Sequence, residues 1–316
     1  MPQPLTIPAR ATARRPHWQD LPAAVRGLVQ DQLRAGVARA ISQDSGFTPG
    51  FASRLLLTDG TSVFVKATNP EQEWTRQAYR AEAAKLALLP TAVPVPRLRW
   101  SYDGDIDGAA WVILIFDDVG GRPPQRPWSR TEARLVLDTA GAMSRTLTPA
   151  PAGADWMTLA EEFAAERGRW DELPAEGIWL TRREEARALA DEALQLCTGE
   201  TLVHCDLRDD NVIIGRDRAV WFCDWNFTVV GPAWADSVSL AVSMHGDGLD
   251  ADVLLADSQQ LSRADHEAID CFLALLIGYF RHAGAQPAPP TSPYLRAHQR
   301  WYADVATDWL AQRRCW

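Results

Sequence analysis

Apolar and polar side chains alternate with a period of two through much of the first third of the chain. Residues 51–57 and 62–67 alternate on either side of the Asp59-Gly60 turn, the pattern of a β-hairpin. A strand at about 37–43 precedes this hairpin, and strands at about 97–101 and 110–116 follow it. Between them, residues 71–89 carry Ala78, Glu82, Leu86 and Leu89 on one face of a helix. A capped helix over 22–35, with Asp20 near its start, leads into the sheet. The alternation stops at Asp117-Asp118-Val119-Gly120-Gly121, and beyond residue 122 helical spacing prevails to a last helix at 293–313. One interruption stands out. Val212-Ile213-Ile214 and Ala219-Val220-Trp221-Phe222-Cys223 flank a Gly215-Arg216-Asp217-Arg218 turn, which predicts a second hairpin. A chain of 316 residues is large for one core and suits two lobes. The expected fold class is therefore α+β and bilobal. An antiparallel-sheet lobe spans 1–119, a mainly helical lobe spans 120–316, and the Asp117–Gly121 break acts as the hinge.

The second hairpin carries the chemistry. It follows His204-Cys205-Asp206-Leu207-Arg208-Asp209-Asp210-Asn211, in which Asp206 and Asn211 are five residues apart, and Asp224 comes thirteen residues after Asn211. Protein kinases use His-x-Asp-x-x-x-x-Asn, where the Asp accepts the substrate hydroxyl proton and the Asn holds a metal. A later Asp holds the metal that bridges the phosphates. Closing the hairpin brings Asn211 and Asp224 together at its open end, offering two oxygen ligands of the kind that suit Mg²⁺. A lone Asp-rich loop would read as a solvated turn. The strand before it and the hairpin after it set this one apart.

Only two lysines, Lys66 and Lys85, stand against thirty arginines, so each surviving lysine is informative. Lys66 lies on the second strand of the first hairpin, where kinases carry a phosphate-binding lysine paired to a glutamate of the following helix. Of Glu71, Glu73 and Glu82, the last is the candidate partner, because the other two fall in the first turn, where acids favour the helix dipole anyway. A surface pair of Glu82 with Lys85 is the alternative. Ahead of the hairpin, Ser45-Gly46-Phe47-Thr48-Pro49-Gly50 reads as a loop able to cover phosphates, although it is not Gly-x-Gly-x-x-Gly.

Together these strings resemble the aminoglycoside phosphotransferase and choline kinase-like family of small-molecule kinases, in character nearest to actinobacterial-type members of unassigned substrate. The resemblance covers nearly the whole chain. It rests on residues 46–50, Phe64-Val65-Lys66-Ala67, Tyr79-Arg80-Ala81-Glu82-Ala83 and Val93-Pro94-Val95-Pro96-Arg97-Leu98. The 204–211 loop, Cys223-Asp224-Trp225 and Val230-Gly231-Pro232 leading to Asp236 complete it. It implies a protein kinase-like fold that transfers the γ-phosphoryl group of ATP or GTP to a small-molecule hydroxyl. Asp206, Lys66 and Glu82 would be catalytic, and Asn211 and Asp224 would hold Mg²⁺. Gly46, Phe47, Thr48, Lys66, Phe116, Asp117 and Val119 would bind the nucleotide, with the hinge backbone facing the base. Acceptor recognition would fall to residues 225–234, to Asp247, Asp250 and Asp252, and to the last helix. The acceptor could be an antibiotic, an amino alcohol or a sugar, and a nucleotide-binding pseudokinase is a further alternative. The resemblance also implies a cytoplasmic monomer or homodimer with no nucleic-acid or membrane partner. Two departures mark the chain: Cys205 stands where the family commonly has Gly, a side chain that would tighten the loop or make it thiol-sensitive, and no Phe-Gly follows Asp224.

Composition narrows the picture further. A net charge of −9 disfavours nucleic acid and welcomes a cationic substrate. The apolar run 269–280 is too short to cross a bilayer and reads as a buried helix. Residues 1–15 lack the apolar core of a signal peptide and read as a loose arm, so the five cysteines are expected as reduced thiols in the cytosol. Cys205 and Cys223 lack zinc-ligand spacing. Most of the fourteen tryptophans are expected in packing, with one or two available as a substrate floor.

Overall fold

Five antiparallel strands build the N-terminal part of the computed structural model, which describes residues 5, 7, 8, 11–68, 70–166, 168–257 and 266–316. Helix α1 (Ala23–Leu33) precedes β1 (Val37–Ser42), β2 (Phe51–Leu57) and β3 (Ser62–Ala67). Helix α2 (Glu73–Leu86), β4 (Leu98–Ile106) and β5 (Ala109–Asp117) follow. The sheet order is β1-β2-β3-β5-β4. Asp20 bonds the His17 amide in the turn ahead of α1, and Pro22 rather than Asp20 occupies the helix N-cap.

The strand β5 explains why this sheet needs cover on both sides. Its run Trp111 to Phe116 is buried at every position. Trp111, Ile113 and Ile115 pack with β2, β3 and α1, whereas Val112, Leu114 and Phe116 pack with Tyr79 of α2. Period-two geometry carries this division to β3, where Val63 and Val65 face α1 and Phe64 and Lys66 face α2. Each of the larger buried side chains contributes about 1.5–3 kcal/mol through burial. Lys66 is thus delivered to the α2 side by sheet register, opposite Leu114 of β5 and Ala52 of β2.

The C-terminal part begins where β6 (Gly121–Arg122) leaves the sheet to pair with the later hairpin. Helices α3 (Arg130–Thr146), α4 (Leu159–Glu162), α5 (Arg169–Glu172) and α6 (Trp179–Leu196) lead to β7 (Thr201–Val203). Strands β8 (Val212–Gly215) and β9 (Val220–Phe222) form that hairpin, and β10 (Val229–Gly231) returns to β7. Helices α7 (Ala235–Gly246), α8 (Ala251–Ala256), α9 (His266–Ala285) and α10 (Leu295–Arg314) complete the chain. By length and composition α9 could cross a membrane, yet most of it is buried, packed against α6 and α10 as a core helix.

The N-terminal arm is not loose where it is described. Thr12 Oγ1 donates to the Gly46 carbonyl at 2.7 Å and to the Asp44 carbonyl at 3.1 Å. The Arg14 amide donates to the Thr291 carbonyl at 2.7 Å, so the arm is stitched to both parts of the molecule. Residues 1–4, 6, 9 and 10 of the expected arm lie outside the described residues.

Candidate active site

The loop after β7 is held from below by buried polar groups. Both carboxylate oxygens of Asp236, at the start of α7, accept backbone N–H groups: His204 at 2.8 Å and Cys205 at 3.0 Å. The His204 ring is fully buried. Its Nε2 lies 2.7 Å from the Cys223 carbonyl, and its Nδ1 accepts the Asp206 amide at 3.3 Å. Both contacts are satisfied only by the neutral ring protonated on Nε2. Burial accordingly lowers the His204 pKa to about 4. The unfolded chain takes up this proton near pH 6.5, whereas the folded chain refuses it until about pH 4. Stability from this group is therefore complete above about pH 6.5 and is lost as pH falls toward 4, roughly 3 kcal/mol in all. Urea midpoints at about pH 7 and 4.5 should show a smaller acid loss in His204→Gln than in wild type. Equal losses would contradict this reading of the ring.

Cys205 has φ +67°, the left-handed conformation that glycine adopts without strain. Where the resemblance led to Gly being expected, this chain holds a cysteine in that strained conformation. Burial, followed by the neighbouring Asp236, holds the Cys205 thiol protonated, so this position does not present a reactive thiolate.

Asp206 emerges from this loop with both oxygens engaged. Arg208 Nη1 bonds Oδ1, and Asn211 Nδ2 donates to the Asp206 carbonyl at 2.8 Å and to Oδ2 at 3.3 Å. Arg208 also reaches Asp210 at 3.1 Å. Burial outweighs the Arg208 charge and raises the Asp206 pKa to about 6, with Asp210 and Asp224 adding to it. The hairpin register pairs Val212 with Phe222, and the Cys223 amide donates to the Asn211 carbonyl at 2.9 Å. Asn211 and Asp224 therefore flank the hairpin's open end. Asp224 has φ +64°, a left-handed conformation that Asp tolerates better than most residues and that turns the chain sharply after β9.

Lys66 Nζ donates to Glu82 Oε1 and Oε2 at 2.8 and 2.9 Å and also bonds Asp224 Oδ1. The ammonium lies between the Tyr79 and Phe116 rings, at 5.6 and 5.5 Å from their centroids. Burial disfavours its charge, but Asp224 and Glu82 more than offset this and raise its pKa. Burial alone would raise Asp224; Lys66 chiefly, with help from Arg15, lowers it. Lys85 turns away from Glu82 and donates to the Asn226 and Thr228 carbonyls at 2.6 and 3.3 Å, tying α2 to the segment after Asp224. The Glu82–Lys85 alternative is thereby excluded.

Lys66, Glu82 and Asp224 border a cleft between sheet and helices that Thr48, Asp117, Val119 and Asp210 also help to line, whereas Asp206 borders a separate small cavity with Arg208 and Tyr302, and Asn211 does not line the cleft. Phe116 lies behind Lys66 in a smaller adjoining cavity. Gly46 and Phe47 are not among the lining residues. Phe47 turns toward α10, its ring 4.6 Å from that of His298, and its carbonyl accepts Ser292 Oγ. Just after β5, Asp118 is bound on both oxygens by Arg54 of β2, at 2.7–3.0 Å. The donor set at the hairpin mouth consists of hard oxygens, the Asn211 side-chain carbonyl and the Asp224 carboxylate. It fits a small divalent cation completed by substrate phosphates.

The acidic stretch expected near the acceptor is spent on the fold. Asp247 is bound by Arg126 and accepts the Trp128 amide at 2.7 Å. Asp250 caps α8, and Asp252 bonds Arg313 and the Trp309 indole. Trp225, another candidate there, is fully buried with its indole N–H on the Phe222 carbonyl. From the last helix, Tyr302 reaches the loop after β7, donating to Asp209 at 2.9 Å. Sequence reasoning missed Arg208, Asp210 and Arg15. The only signal of Arg208 and Asp210 was charge within a motif, which thirty arginines made inconspicuous, and Arg15, far from any motif, left none.

The chain matches the phosphotransferase enzyme family over residues 46–272. No curated protein matches it in sequence. Among solved structures, choline kinase LicA from Streptococcus pneumoniae is similar at TM-score 0.61 and 14% identity, over 91% of this chain and 99% of that one. A thermostable mutant of aminoglycoside phosphotransferase APH(4)-Ia, in ternary complex with ADP and hygromycin B, is similar at 0.61 and 13%, over 92% and 98%. Amicoumacin kinase hAmiN, in complex with AMP-PNP, Ca²⁺ and Ami, is similar at 0.58 and 12%, over 89% and 93%. The structural likeness speaks for the fold, and the match over most of the sequence speaks for descent: the chain belongs to the phosphotransferase enzyme family.

Proposed function

We propose that this chain is a Mg²⁺-dependent kinase that moves the γ-phosphoryl group of ATP or GTP to a hydroxyl of a small molecule, in the cytoplasm. The observation that supports the reading is Lys66 bound by both Glu82 and Asp224 in the cleft, with Asn211 beside Asp224 at the hairpin mouth and hydrogen-bonded to Asp206. Residues 1–119 would form the nucleotide lobe and 120–316 the catalytic and acceptor lobe. Asn211 and Asp224 would hold the ion, which supplies charge neutralisation at the phosphates. Lys66, fixed by Glu82, would steady the phosphates. Asp206 would orient the acceptor hydroxyl and take its proton late, because the transition state is largely dissociative. Arg208, bonded to Asp206, fixes the direction of that carboxylate.

For the acceptor, an antibiotic such as an aminoglycoside is the first reading. The structural bonds of Asp247, Asp250 and Asp252 favour the second, an amino alcohol or sugar, because each of these acids is engaged in holding the fold. ADP or GDP release should be followed over panels of antibiotics, sugars and amino alcohols, alongside susceptibility of a sensitive host. Metal-dependent turnover with one acceptor class is expected. Nucleotide binding without turnover across all panels would support a pseudokinase instead.

A further inference from the structure

Among the described residues, one cation of the cleft has no ion-pair partner. Lys66 is bound by Glu82 and Asp224, Arg54 by Asp118, and Arg122 by Glu132. Arg15, from the N-terminal arm, lines the same cleft and forms no ion pair among the described residues. Its side chain makes one hydrogen bond, from Nη2 to the Ser45 carbonyl at 3.4 Å, at the weak end of the range. Its Nε is buried with no hydrogen-bond partner among the described residues. A buried guanidinium N–H without an acceptor is costly, and a ligand that supplies one recovers that cost.

The arm is fastened on both sides of this residue. Thr12 bonds the Asp44 and Gly46 carbonyls of the loop above the cleft, and the Arg14 amide bonds the Thr291 carbonyl ahead of α10. A carbon added at the Gly46 Cα would lie 3.6 Å from Arg15 Nη2, which puts the guanidinium directly against that loop. A nucleoside triphosphate stays anionic after one Mg²⁺ ion binds, and Lys66 already shares its charge with two carboxylates. A planar guanidinium with free donors matches phosphate oxygens in both charge and shape.

We propose that Arg15 is a phosphate-binding residue of the nucleotide site, carried into the cleft by the N-terminal arm. This rests on the nucleotide reading above. The site is thus assembled from outside the sheet as well as from it, and the loop over the phosphates is held in place by the arm that brings the charge.

The test is calorimetric titration of wild type, Arg15→Gln and Arg15→Lys with ATP, ADP and adenosine in the presence of Mg²⁺, repeated with the guanine series. Glutamine retains a donor for the Ser45 carbonyl but no charge, whereas lysine retains the charge. Arg15→Gln should weaken triphosphate binding roughly 10- to 100-fold and leave nucleoside binding within about twofold. Arg15→Lys should recover most of the triphosphate affinity. Wild-type triphosphate affinity in Arg15→Gln, or an equal loss for nucleoside and triphosphate, would overturn the role of Arg15 alone. A wild-type protein that binds triphosphate no better than nucleoside would overturn the nucleotide reading together with it.

Discussion

Asp206→Asn is expected to lower turnover by roughly 10²–10⁴ while leaving nucleotide affinity near wild type. The two side chains are nearly isosteric, and the amide oxygen can still accept from Arg208 or Asn211, so the loop that Asp236 and His204 support should keep its shape. In the proposed mechanism, what is lost is the negative charge that would face the acceptor hydroxyl and the capacity to take its proton. Steady-state kinetics with the acceptor found by screening, together with nucleotide titration, separate these effects. Turnover within about threefold of wild type would remove Asp206 from the mechanism.

Lys66→Arg should be nearly as damaging as Lys66→Met. The ammonium occupies a site closed by Tyr79 and Phe116 on its flanks and by two carboxylates at its tip, with only 10% of the side chain exposed. A guanidinium is wider, carries its charge in a plane, and cannot reach both Glu82 and the phosphates without displacing one of them. Charge is retained, so long-range attraction of the nucleotide survives while its alignment fails. The expected signature is a fall in kcat at saturating nucleotide larger than the rise in KM. A fully active Lys66→Arg enzyme would make the lysine a packing residue and would undo the assignment of Glu82 with it.

The residues that proved legible in the sequence are those governed by short-range rules. Strands β2 and β3 begin and end where the alternation does, and the position of Lys66 follows from that alternation. Glu82 was legible because the helical face it shares with Leu86 must turn inward. Strand β4 runs to Ile106, beyond the expected end near residue 101. Its connection to β5 is the two-residue turn Asp107-Gly108, with φ of +53° and +81°, an Asp-Gly hairpin signal lost among neighbouring acids. Strands β6 and β10 are two and three residues long and exist only because β8 and β7 stand beside them. Tertiary pairing leaves no local pattern of this kind. The same holds for Arg15 and for Phe47, whose placement depends on Thr291, Ser292 and His298, residues more than two hundred positions away. The acids at 247 and 252 resembled a solvated loop or an amine site because their arginine and tryptophan partners lie 57 to 121 positions away.

The central claim is that the hairpin mouth holds the metal that binds the phosphates. Calorimetric titration of wild type and Asp224→Ala with ATP and GTP, with and without Mg²⁺, tests it most directly. Wild type should bind one nucleotide tightly only when Mg²⁺ is present, and Asp224→Ala should lose that metal-dependent binding. Asn211→Ala should keep it at a higher metal requirement. Identical metal dependence in wild type and Asp224→Ala would contradict the account.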